Sequence, residues 1–302
     1  MSSSRYRGIA FAGVFGISFA GILFRAVALD TATTAFFRAA YAIPFLALLW
    51  WWKRTEDQRS RRSRMMAAVA GIFLGLDLLA WHVSIDNIGV GLATVLVSTQ
   101  VIFVGAIAWM RYGERPSTTS LAVVPIVLVG VLLLSGLGGE NAYGDDPLLG
   151  VAFGVVGGIF YALFLLVLRE SNRGYLAPPQ GPLLDATIGV AFIALMVGWF
   201  FVDDFTLAVT WPEHGWLLVL ALGTQVFGWL LIAAALPRLA ALETSVIILA
   251  QPILASIWAM IIFDERFSAA QWTGVLLVLG GLLIINARGA VRYEEPHREQ
   301  VA

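Results

Sequence analysis

The chain has 302 residues, of which 59% are hydrophobic and 13% charged, with a formal net charge of −1 and no cysteine. Its mean hydropathy of +0.84 leaves too little polar surface for a soluble fold of this length, so the chain must face lipid. The near-zero charge without a long basic tract excludes nucleic acid as a partner, and the missing cysteines exclude disulfides, thiolate metal sites and cysteine nucleophiles.

A bilayer core takes about 20 apolar residues per helix. Ten stretches qualify, spanning Gly8 to Val27, Thr33 to Trp52, Met65 to Ile85, Gly89 to Met110, Thr118 to Leu137, Leu148 to Leu168, Leu183 to Phe201, Trp216 to Leu236, Leu242 to Phe263 and Ala269 to Ala287. The first follows Arg5 and Arg7, is too long for a signal-peptide core and lacks a small-residue cleavage site, so it reads as a retained helix. The second holds Arg38 about five residues from its far end, at a depth of roughly 7 to 10 Å. It closes on Trp50, Trp51 and Trp52, an interfacial anchor beside a basic loop. The third holds Asp77, roughly 12 Å deep. Trp81 and His82 follow, His82 as a polar anchor near the interface and about 140° around the helix from Asp77, which argues against a direct relay.

Ionisable groups inside a span are costly and mark a pathway or a pair. Arg38 and Asp77 stand at compatible depths, so they are expected to pair, directly or through water. Either the pair is static and joins helices 2 and 3, or a zwitterionic substrate replaces each partner. Asp77 is also a candidate for carrying a coupling proton, since desolvation and a nearby arginine act on it in opposite directions. Gln100 in the fourth stretch, Gln225 in the eighth and Gln251 in the ninth either line a cavity or hydrogen-bond between helices. Trp81, Trp229 and Trp258 could stack on a substrate or simply pack. Pro44, Pro125 and Pro252 are points where helices 2, 5 and 9 can bend. Gly154, Gly157, Gly158, Gly274, Gly280 and Gly281 are expected at close helix contacts.

Sixteen of the 19 basic residues fall on one side if the N-terminus is cytoplasmic, leaving Arg25, Arg38 and Arg266 toward the other. Both termini are therefore expected inside.

The chain also repeats itself. Gln100, Glu114, Arg115, Ser117 and Gly130 recur 151 positions later as Gln251, Glu265, Arg266, Ser268 and Gly281. Gly8, Ala10, Phe11, Val14, Gly16, Ile17, Ala20 and Leu23 recur 142 positions later, from Gly150 to Leu165. Five helices per repeat is an odd number, so the halves insert with opposite topology about a pseudo-two-fold axis. In each copy the Glu-Arg pair, Glu114 with Arg115 or Glu265 with Arg266, stands at a turn whose Ser117 or Ser268 can cap the next helix. The expected role of these turns is to fix tight helical hairpins, with gating as the alternative.

The run from Gly89 to Gly136, with Gln100 and the Gly113-Glu114-Arg115-Pro116 turn, resembles an EamA domain. Gln251-Pro252 through Asp264-Glu265-Arg266 to Gly281 is similar to its second copy. Two such domains resemble the ten-helix carriers of the drug/metabolite transporter superfamily, although the tryptophan-glycine pair of that family's first helix is Phe15-Gly16 here. The resemblance implies a transporter, and an exporter in particular; an arginine at the place of Arg38 is also similar to the family pattern.

The expected fold is thus an all-α integral membrane protein of ten transmembrane helices in two inverted five-helix repeats. Residues 8–137 form one repeat, 148–287 the other, and 288–302 a short polar cytoplasmic tail. The expected function is export of a small metabolite such as an amino acid across the inner membrane by alternating access, without enzyme activity, metal or cofactor. Ten helices suffice for a pathway in a monomer whose partners are a small-molecule substrate and the lipid bilayer. Drug or nucleotide-sugar transport, a membrane enzyme using Asp77 and His82, and an accessory subunit are the alternatives.

Overall fold

In the computed structural model the structure describes residues 3–113, 116–134, 143–175, 178–235, 239 and 241–299, with side chains for all but 3–4, 112, 120, 241–246 and 286–299. Every regular element among them is a helix. They are α1 (Ser3–Ser18), α2 (Ala20–Ala26), α3 (Thr31–Lys53), α4 (Arg61–Val97), α5 (Gln100–Tyr112), α6 (Thr118–Leu134), α7 (Pro147–Ser171), α8 (Gln180–Phe201), α9 (Glu213–Val219), α10 (Trp229–Ala235), α11 (Ala241–Phe263) and α12 (Ala269–Glu299). A π-helical segment, Leu220–Gly228, joins α9 to α10.

Among the described residues, six helical stretches are long and apolar enough to cross a membrane: Arg5–Ala26, Thr31–Glu56, Arg61–Val97, Pro147–Ser171, Gln180–Phe201 and Glu213–Ala235. Four shorter apolar helices, Gln100–Arg111, Leu121–Leu134, Ile247–Phe263 and Ala269–Ile285, accompany them. With α4 divided at Gly89, whose φ of 80° and ψ of 168° interrupt it, these stretches group into ten helical segments, here called passes, that correspond to the ten expected spans. The first pass is α1 with α2, and the second is α3. α4 up to Gly89 makes the third, and the rest of α4 with α5 makes the fourth. The fifth to seventh are α6, α7 and α8; the eighth is α9 through α10; the ninth and tenth are α11 and α12. Large apolar side chains such as Phe11, Leu48, Met110, Phe201 and Ile261 are exposed around the bundle, as a lipid-facing surface requires.

Helix starts follow the capping residues. Asp30 accepts from the Thr33 N–H at 2.9 Å, Ser60 from that of Ser63 at 3.1 Å, and Asp146 from that of Leu149 at 3.0 Å, opening α3, α4 and α7. At α12, Ser268 Oγ accepts from the Gln271 N–H at 3.2 Å while Gln271 Oε1 accepts from the Ser268 N–H at 3.0 Å. That reciprocal capping box gives Ser268 its expected role.

The expected spans are interrupted where no proline stands. The first breaks between Ser18 and Ala20, where Ser18 Oγ donates back to Phe15 O at 2.7 Å. The fourth breaks at Ser98 and Thr99, whose hydroxyls donate to Thr94 O at 3.0 Å and Leu96 O at 2.6 Å. Such back-bonding competes with the helical ladder. Pro44, Pro125 and Pro252 instead lie inside continuous helices. At the other end of the chain, α12 runs through Glu299, past the expected end of the tenth span.

α7 packs on α4 and α5, while α1 packs on the π-helical segment, α10 and α11. α3 packs on α8, α6 on α12, and α4 on both α8 and α11. The expected glycine contacts form at Gly154, Gly157 and Gly158, where an added Cβ would come within 3.1 Å of Leu96, Asp77 or Thr99, and at Gly274 and Gly281 against α6. At Gly280 an added Cβ would meet nothing within 4 Å among the described residues, so no close helix contact there requires glycine.

The bundle has two ends. Lys53 to Ser60 lie at the end carrying the N-terminus, where Ser63 Oγ donates to Ser171 O. Asn87 and Ile88 lie at the distal end, against Gly144 and Gly150.

Candidate functional site

Arg38 on α3 and Asp77 on α4 are only 4% and 5% exposed, and both line one cavity of about 90 Å3. Ile17, Ala20, Leu74, Leu78, Trp81, Thr94, Val97, Ser98, Gln100, Tyr161, Gln225, Trp229 and Gln251 complete its wall. The structure therefore brings Arg38, Asp77, Gln100, Gln225, Gln251 and Trp81 around a single space, although they come from five different passes.

Arg38 and Asp77 do not form the direct pair that their depths suggest. No nitrogen-oxygen approach within 4.0 Å joins them; Arg38 Nε and Nη1 and Asp77 Oδ1 are buried without hydrogen-bond partners. Gln100 Oε1 and Gln225 Oε1 are likewise unpartnered, and Gln225 Nε2 makes a long donation of 3.4 Å to Thr187 Oγ1 on α8. Buried polar atoms are nearly always satisfied, so a cluster of exceptions calls for a reason.

The interruptions within the first, fourth and eighth passes meet this cavity. Ile17 and Ala20 flank the break in the first pass; Val97, Ser98 and Gln100 flank the break in the fourth; and Gln225 lies in the π-helical segment of the eighth, with Trp229 just beyond it. Interrupted backbone at membrane depth is tolerated where it lines a cavity, and π-segments recur at functional sites.

Tyr161 is one of several lining residues, Thr94 among them, that the sequence reading did not name. Its ring stacks on Phe164 at 5.7 Å and meets the Trp229 ring edge-on at 6.5 Å. The offset of 142 could have found it, because it equates Tyr161 with Phe19 at the break in the first pass.

Other residues stand away from the cavity. His82 is completely buried and stacked on Phe24 at 3.6 Å, so it is a core residue and not an interfacial anchor. The reason is that α4 runs through the middle of the bundle, covered by α2, α7 and α8. No hydrogen bond joins His82 to Asp77. Trp258 stacks on Phe19 at 4.9 Å and donates to Ser18 Oγ at 3.0 Å. Trp51 and Trp52 are exposed as interfacial anchors should be, whereas Trp50 donates to Asp57 Oδ2 at 2.9 Å.

Glu265 and Arg266 differ from each other. Arg266 is exposed and pairs with Asp264 at 2.9 Å. Glu265 is buried and reaches the first half of the chain, bonding Val90, Gly91 and Arg25, so its turn does more than close a hairpin. Glu114 and Arg115 lie outside the described residues.

At the end carrying the N-terminus, Arg59 Nη2 is 2.9 Å from both Asp57 Oδ2 and Asp185 Oδ2, tying the α3–α4 loop to α8. Burial pushes the Asp57 carboxyl up, but donation from Arg59 and Trp50 outweighs it and holds the group at about 2.

A model of the EamA-like transporter family matches residues 7–136 and 148–287. The chain belongs to that family. Its two matched segments make this member a multi-pass membrane transporter with two EamA units. It is 23% identical over 269 residues to an uncharacterized transporter of Synechocystis, covering 82% of this chain and 77% of that protein. An uncharacterized transporter of Archaeoglobus fulgidus is 22% identical over 268 residues, covering 87% of this chain and 89% of the relative. One crystal structure of a protein has the same fold, with a TM-score of 0.64 at 14% identity over 97% of this chain and all of its own.

Proposed function

We propose that this EamA-like protein is a secondary transporter that exports a small zwitterionic metabolite such as an amino acid. In this reading, solute binds between two five-helix repeats of inverted topology, and the cavity opens to each side of the inner membrane in turn. Both termini lie in the cytoplasm, a single chain provides the pathway, and neither cofactor nor enzymatic step is needed.

The observation that carries the reading is the buried, unpartnered Arg38 and Asp77 facing one cavity where three interrupted helices meet. A solute carboxylate can accept from Arg38 Nε and Nη1, and a solute ammonium can donate to Asp77 Oδ1. Each bond then removes a desolvation cost that the empty pair bears.

Packing supports the repeat arrangement. Exchanging the halves turns the contacts of the sixth pass with the third and fourth into those of the first with the eighth and ninth; the second–seventh, fourth–ninth and fifth–tenth contacts map onto themselves. The cavity wall follows the same exchange, since the 151-residue offset relates Gln100 to Gln251, Leu74 to Gln225 and Leu78 to Trp229. The two charges break the symmetry, both coming from the first repeat. Motion is required because about 90 Å3 holds only about three water molecules, whereas metabolite pockets take roughly 300 Å3 or more. Direction rests on the family resemblance, and the side assignment on the distribution of basic residues.

Thermal unfolding of purified protein with a panel of amino acids tests the binding step. At least one should raise the Tm of the parent and leave Arg38→Gln unmoved, since a ligand stabilises only the state that binds it. No shift across the panel, or an equal shift in the variant, would count against this site.

A further inference from the structure

The turn between the ninth and tenth passes closes over the distal end of the bundle in a way that the cavity does not require. Asp264, at φ 53°, turns the chain after α11, and the Glu265 side chain that follows is fully buried. Its Oε1 accepts from the Val90 N–H at 2.8 Å and from Arg25 Nη1 at 3.0 Å, while Oε2 accepts from the Gly91 N–H at 3.2 Å. Arg25 also lies over the Phe263 ring at 4.6 Å. One carboxylate therefore holds the end of the first pass, the start of the fourth and the turn after the ninth.

These contacts tie together three passes that reach the cavity. The first and fourth passes are interrupted beside the cavity, and the ninth contributes Gln251 to it. The same carboxylate joins the second repeat to the first, so a separation of the repeats at this face breaks all three hydrogen bonds together. Contacts that share one group break as a unit and favour two discrete arrangements over a gradual loosening. Arg25 is partly exposed at 39%, so water can receive its charge when the carboxylate leaves. The neighbouring Asp264 and Arg266 pair with each other and do not compete for Glu265.

We propose that Glu265 and Arg25 form the latch that closes the distal face of the transport pathway, and that the cavity opens to that face only when this latch parts. The inference rests on the alternating-access reading, but its test needs no substrate. Because the chain has no cysteine, Ser98→Cys places a single thiol at the cavity, and Ala208→Cys in a separate protein marks the exposed distal loop. Each is labelled with a charged, membrane-impermeant maleimide in right-side-out and inverted vesicles.

Adding Glu265→Gln to the Ser98→Cys reporter should speed labelling from the distal face about tenfold, as expected from losing one charge-assisted contact in the closed state. Labelling from the other face should not rise, and the Ala208→Cys marker should be unchanged. Arg25→Gln should act in the same direction, which keeps the test in hand if the Glu265 variant is poorly made. An unchanged distal rate in both variants would overturn the latch, and so would an equal rise from both faces, which is general loosening. Access from both faces with Glu265 intact is what alternating access requires, so that reading and the latch fail on different measurements.

Discussion

Gly89 shows how far a single residue can be constrained. Its φ of 80° and ψ of 168° lie in a region that only glycine adopts easily, at a cost of about 1–3 kcal/mol for other residues. An added Cβ would also stand 2.6 Å from Glu265 Cδ. Gly89→Ala should therefore destabilise the protein by at least about 2 kcal/mol, measured as a lowered midpoint of thermal unfolding in detergent; an unchanged midpoint would mean that the turn relaxes freely. Asp57 makes a different kind of prediction. Its carboxyl is lowered from the ordinary 3.8 to about 2, so its stabilising contribution is full above pH 3.8 and is lost as pH falls through about 2. Asp57→Asn should be less stable than the parent at neutral pH, and the difference should shrink between pH 4 and pH 2. A difference that stayed constant over that range would contradict the depressed pKa. Arg38 and Asp77 were legible in the sequence because charge inside an apolar run is conspicuous. Tyr161 was not, because an aromatic residue in such a run is ordinary until its neighbours are known.

At the level of the helix, periodicity and length located the passes but not their interruptions. Ser18, Ser98-Thr99-Gln100 and Thr224-Gln225 interrupt their apolar runs for three residues at most, too briefly for windowed hydropathy to mark a discontinuity there. The breaks do not fall at prolines, since Pro44, Pro125 and Pro252 lie inside continuous helices. At the break in the fourth pass, the Ser98 and Thr99 hydroxyls donate to carbonyls of the same pass. Replacing them tests whether the break serves transport. Ser98→Ala combined with Thr99→Val removes both back-bonds and should leave thermal stability equal or higher while slowing substrate flux by about tenfold or more. Flux at the parental rate would show that the interruption is incidental packing. Glu265 marks the same limit of local reading: a capping box and a turn were visible around it, but its bonds to Val90 and Arg25 span more than 170 residues of sequence.

For the whole molecule, duplication was the most legible feature, because it survives as repeated residues at fixed offsets. It places amides from both halves around one cavity, while a single arginine and a single aspartate from the first half supply the charge. That combination favours a small solute carrying both charges over a large anionic one, which would need several cations. Arg38 and Asp77 face a space of about 90 Å3, so under the proposed mechanism entry and release of a metabolite go with a wider cavity than this one. The most direct test is counterflow of radiolabelled amino acids into liposomes containing the purified protein, run beside Arg38→Gln and Asp77→Asn. The account predicts saturable counterflow of at least one amino acid in the parent, reduced at least about a hundredfold in each variant, as for loss of a buried charged contact of about 3 kcal/mol. Counterflow that persists in both variants at the parental rate, or none for any amino acid with folded protein, would contradict it.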